Sequence, residues 1–200
     1  MQELTDNPRT ALIAGLALAL VLFVLSLLGG TADRWGVLAF LVRSIHVLAA
    51  MIWVGLIFFV NFVQLVALSR ADAAERDAIH TTIVPAVAWW FRHASTVAVL
   101  SGLILLLTTG YLLPSLIYGS SVFMAPARLG VLWVAVLAAV TMWMFVHMYI
   151  WPNMQVVLGL RAGDSDAKLA ARARVVLFAR LNLVLAMPVV VGMIAAAHLY

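Results

Sequence analysis

The chain has no cysteine, which excludes disulfides, thiolate metal sites, thiol catalysis and covalent c-type haem attachment. Charge is scarce as well: Asp, Glu, Lys and Arg make up 10% of the 200 residues, against about 25% in soluble domains. The eight acids all fall in tails or polar connections, so no apolar segment carries a carboxylate pair for acid–base chemistry. Nucleotide-binding loops, soluble-type catalytic triads, internal repeats and low-complexity tracts are absent from the sequence. No basic run interleaved with aromatics marks a nucleic-acid partner.

What is present is apolar. Hydrophobic residues make up 66% of the chain, far beyond soluble usage, and this composition reads as an integral membrane protein embedded in lipid. A bilayer span needs roughly 20 apolar residues. By that measure spans are expected near 10–28, 44–68, 86–113, 128–158 and 174–199. The first has only Arg9 before it and no small-x-small cleavage site in "LLGGTADRW", so it reads as a retained helix rather than a signal peptide. Residues 29–43 read as a turn and an interfacial or early helical segment, with Trp35 at headgroup level.

Basic residues set the orientation. Arg9, Arg70, Arg76, Arg161, Lys168, Arg172 and Arg174 fall on one side, and Arg34, Arg43 and Arg128 on the other. The positive-inside rule then puts the N-terminus in the cytoplasm and the C-terminus outside. Segments 69–80 and 161–174 are expected as short inner loops, and 114–128 as an outer loop punctuated by Pro and Gly. The expected architecture is one all-α transmembrane domain over 1–200: an extra N-terminal helix at about 10–28 and a four-helix bundle at about 44–199. Pro85, Pro152 and Pro188 are expected to start, end or kink helices.

Four of the five histidines lie in or beside these spans, at two expected depths. His46 opens the second span and His198 closes the fifth, both at the outer face. His93 stands at the inner end of the third span and His147 deep in the fourth. Two imidazoles facing each other across a helical bundle suit six-coordinate haem iron. Two layers are therefore candidates, outer His46/His198 and inner His93/His147, holding one or two b-type haems. Ala49 and Ala50 follow His46 by three and four positions and Ala195 precedes His198 by three, leaving small residues where a flat macrocycle needs room. Arg43, on the face of His46, would pair with a haem propionate; Arg92 and Arg180 would do the same at the inner layer. Asn61, Gln64 and Asn182 are candidate supporting or quinone-binding groups. The competing reading is plain: histidines near span ends sit in the wet interface, Arg43 snorkels, and Trp143, His147 and Trp151 pack along one helix face. His80 falls in a loop and is given no role.

The stretches "SIHVLAAMIWVGLIFF" (44–59), "WWFRHASTVAVLSGLILLL" (89–107), "IWPNMQVVLGLRAG" (150–163) and "NLVLAMPVVVGMIAAAHLY" (182–200) resemble the membrane domain of bacterial membrane-bound urate hydroxylases. A helix-opening His followed by Trp-x-Gly is also similar to copper-resistance membrane proteins and to membrane protoporphyrinogen oxidases. The resemblance covers the last four spans. Its helix-opening His falls on His46, its Trp-x-Gly on Trp53 and Gly55, and its terminal His-x-Tyr on His198 and Tyr200. It implies a multi-pass protein of the bacterial inner membrane and supports the outer pair. Aromatic residues are usual in that family where His93 and His147 stand. The C-terminal c-type cytochrome of the urate hydroxylases has no counterpart in this sequence. The leading expectation is thus a b-type haem protein passing electrons between a quinone or substrate and a partner cytochrome c. Alternatives are a urate-hydroxylase-like oxidoreductase and a non-catalytic accessory subunit of a larger respiratory or photosynthetic membrane complex.

Overall fold

A computed structural model of the chain describes residues 7–28, 30, 33–113 and 127–199. Every regular element among them is helical. Five helices are long and apolar enough to cross a membrane: α1 (Pro8–Leu28), α2 (Arg34–Arg70), α3 (Ala73–Thr108), α4 (Ala127–Val157) and α5 (Ser165–His198). Most of the expected outer loop, 114–126, lies outside the described residues.

Several helix ends differ from those expected, each for a local reason. Asp33 accepts the Gly36 N–H at 2.8 Å, so α2 starts there and His46 sits about three turns inside the helix rather than opening it. Asp72 and Glu75 form a reciprocal capping box, each side chain bonded to the other's backbone N–H at 2.9 Å. This starts α3 at Ala73, so most of the expected inner loop is helix, and His80 and His93 both lie well inside α3. Asp164 accepts the Ala167 N–H at 2.8 Å and likewise draws most of the second inner loop into α5. Pro85 and Pro188 lie within continuous helices.

Two helices change pitch midway. Phe59–Gln64 in α2 and Phe145–Ile150 in α4 are π-helical turns, the second ending two residues before Pro152, whose missing N–H interrupts the α-helical ladder. At the end of α4, Gly159 takes φ of +73° and a Schellman closure forms, with Leu160 N–H bonded to Gln155 O at 2.8 Å.

By its contacts the chain divides into units spanning 1–40 and 41–200. In the first, α1 buries none of its side chains, and Phe23 stacks on Phe40 with ring centroids 5.5 Å apart. An all-round apolar helix without a buried face is suited to lipid. In the second unit, a common core joins Ala49, Trp53 and Ile57 of α2, Phe91, Ala94 and Ala98 of α3, Met142 and Val146 of α4, and Ala186 of α5. Alanine is the commonest residue there because hydrocarbon surroundings give helices no hydrophobic reason to associate, and close backbone approach supplies the attraction instead. One such close approach is where Gly192 meets α4: a Cβ there would lie 2.8 Å from that of Ala135. Nearby, Arg128 Nε donates to Ala196 O at 2.9 Å, using a carbonyl of the last turns of α5.

Candidate functional site

His46 is half-buried against α3. Its Nδ1 lies 2.8 Å from the carbonyl oxygen of Ala98 and 3.4 Å from Ser101 Oγ. A carbonyl only accepts, so Nδ1 carries a proton, and in the neutral imidazole Nε2 keeps its lone pair. The ring rests on the bare backbone of Gly102, where an added Cβ would come within 2.9 Å of Cε1. Two turns along the same face of α2, the Trp53 indole N–H is buried and has no acceptor. Arg43, one turn before His46, is exposed, as are Gly55 and His198, the latter in the last turn of α5. No hydrogen bond among the described residues joins His46 to His198, and Tyr200 lies outside them.

His93 and His147 enter separate networks. His93 is exposed; its Nδ1 donates to Trp89 O at 2.7 Å and its ring stacks on Trp89 at 4.1 Å. His147 Nδ1 donates to Trp143 O at 3.0 Å, so Nε2 accepts from Thr96 Oγ1 at 3.2 Å. The same hydroxyl accepts the Trp143 indole N–H at 3.2 Å. Both nitrogens of His147 are therefore engaged within the α3–α4 contact. Arg92 lies over the Trp151 ring, 4.2 Å from its centroid. Arg180 donates to Asn61 O at 3.4 Å.

A cavity of about 400 Å³ opens between α2, α3, α4 and α5, with both π-helical turns in its wall. Val60, Val84, Phe91, Val146 and Ala179 line its apolar part, and Gln64, Arg76, His80, Arg92 and Arg172 bring polar groups to it. No acid is among the lining residues. Gln64 is only 6% exposed and its Oε1 has no partner; the His80 Nδ1 is buried and unpartnered as well. Asn61 Nδ2 bonds Ile57 O and Ala179 O at 2.9 and 3.2 Å, but its Oδ1 and both polar atoms of Asn182 have no partner. Buried polar atoms without partners cost stability unless something fills their valences.

His80, Arg76 and Arg172 have no place in a site read from span prediction, which leaves them in loops. The usable signal was the D-x-x-E spacing at 72–75, which starts a helix and puts Arg76 and His80, four residues apart, on one face of it. No family model, curated protein or solved structure matches this chain.

Proposed function

We propose that this is a multi-pass membrane electron-transfer protein, oriented with its N-terminus inside, whose last four helices form a bundle holding one b-type haem at its outer half, with His46 and His198 as axial ligands. The observation that carries the reading is the seat of His46: its Nδ1 is held by a carbonyl of a neighbouring helix, Ala98 of α3, and its ring lies on Gly102. A carbonyl holding Nδ1–H and leaving Nε2 free is the usual arrangement of a metal-ligating imidazole. The orphaned Trp53 N–H on the same face offers a donor to a buried acceptor. Asn61 of α2 meets Ala179 of α5; with the two helices antiparallel, His46 and His198 lie toward the same end from that contact, about 22 and 28 Å along their axes at 1.5 Å per residue. The haem would supply one-electron chemistry, and the chain its ligation, burial and access. Exposed Arg43 would pair with a propionate, and the redox partners would be a quinone or substrate on one side and a partner cytochrome on the other.

The inner pair is not part of this proposal. Ligation by His147 would break its bond to Thr96; His93 shares the Nδ1-to-carbonyl arrangement, but within its own helix, and its ring is stacked on Trp89 rather than seated against a neighbouring helix. A reduced-minus-oxidised absorption spectrum with haem quantified per chain tests the reading. About one haem is expected, lost in His46→Ala and retained in His93→Ala and His147→Ala. A preparation made with ample haem that contains none would overturn it.

A second reading, an accessory subunit of a larger membrane complex, draws on α1, which buries no side chain and offers an apolar face to a partner helix. Mild solubilisation and mass determination would separate the two. A haem-free chain recovered in a larger assembly favours the accessory role.

A further inference from the structure

The cavity between the two π-helical turns combines features that the haem reading does not use. Its volume of about 400 Å³ falls within the roughly 300–1,000 Å³ typical of small-molecule sites. Its wall is mainly apolar, and the lining residues of α3 extend from Arg76 to Arg92, about 24 Å of helix at 1.5 Å per residue. Arg76 and Arg172 belong to different helices and converge on the same end, with His80 close enough to Arg172 for their charges to interact. Both arginines are exposed at the cavity mouth, and no acid is among the lining residues; Asp77, whose charge also reaches His80, lies outside the lining. Cations from two helices at one cavity mouth make a positive patch that attracts an anion. Inside the cavity the buried Gln64 Oε1 awaits a donor, and Arg92 lies over Trp151.

We propose that this cavity binds an anionic amphiphile, with a phosphate or carboxylate head between Arg76 and Arg172 and an acyl chain running along Val84, Phe91 and Val146. Charge-assisted bonds from guanidinium to phosphate or carboxylate are the strong, directional kind, and they select an anionic head over a neutral quinone ring. An acyl chain fills the apolar length, and a hydroxyl of a glycerol headgroup would donate to Gln64 Oε1. The site does not depend on haem.

Trp151 in the cavity wall provides the probe. Acyl chains carrying bromine quench indole fluorescence on contact, and the difference between the full chain and Trp151→Phe isolates this tryptophan from the other six. Three probes are titrated into the protein in unbrominated phosphatidylcholine: brominated phosphatidylglycerol, dibromostearate and brominated phosphatidylcholine. Saturable quenching of the Trp151 component at low mole fraction is expected from an anionic probe and not from brominated phosphatidylcholine. The anionic probe that saturates first identifies a phospholipid or a free fatty acid as the source. Combined Arg76→Gln and Arg172→Gln should raise the half-saturating fraction about tenfold, equivalent to about 1.4 kcal/mol, whereas the Lys variants should largely restore it. Equal quenching by all three probes would overturn the proposal, as would indifference to the Gln substitutions. So would full displacement by inorganic phosphate alone, or displacement by a neutral quinone that is equally effective in the Gln variant.

Discussion

The α4–α5 contact around Gly192 and the cavity around Gln64 share α4 and α5 and are packed in opposite ways. At Gly192 even a methyl group would collide with Ala135. At the cavity, two π-helical turns and Pro152 alter the helix pitch, and about 400 Å³ stays open between side chains. The difference shows how a membrane protein with few polar residues combines cohesion with a binding space. Small residues bring two backbones together at one end, and an extra residue in the turn redirects side chains at the other.

Substitutions that add volume test this contrast most sharply. Gly192→Leu should be the most damaging, costing about 3 kcal/mol, the upper part of the usual overpacking range. A lower denaturant midpoint by far-UV circular dichroism in mixed micelles would register it, and an unchanged midpoint would mean the contact is looser than described. Gly102→Val forces the His46 ring off α3 and should cost about 2 kcal/mol. Its sharper readout is haem content, which should fall along with stability. Thr96→Val removes the hydroxyl shared by Trp143 and His147, and leaving those two groups unpaired should cost about 1–2 kcal/mol. Haem content should not change, because the inner histidines are outside the proposed site. The smallest expected effect is at Ala88→Leu in the cavity wall, where added volume meets open space and stability should stay within about 0.5 kcal/mol. The same change should abolish quenching of Trp151 by anionic brominated lipid. A large stability loss at Ala88 would erase the contrast with Gly192.

Span number could be read from the sequence because it depends on apolar run length, and each of the five expected segments lies largely within one helix. Helix ends were less legible. Hydropathy ends where charge begins, but Asp33, Asp72 and Asp164 start helices by accepting backbone N–H groups, carrying charged residues into regular structure. His46 stood out as a singular imidazole in an apolar helix, yet its tautomer depends on Ala98, fifty-two residues away. The arginine cluster was legible only as topology. Arg76 and Arg172 are nearly a hundred residues apart, and only helix packing brings them to one cavity.

Composition and periodic apolarity by themselves determined that the chain is helical and suited to a bilayer, because a backbone in hydrocarbon must satisfy its own hydrogen bonds. They also determined which chemistries lie beyond it, through the absence of cysteine. Tertiary structure alone decided that His46 faces Gly102, that His147 is held by Thr96, and that a cavity lies between two π-helical turns. Each depends on side chains from different helices meeting at a particular depth and rotation, and none of the three is encoded in any single stretch of sequence.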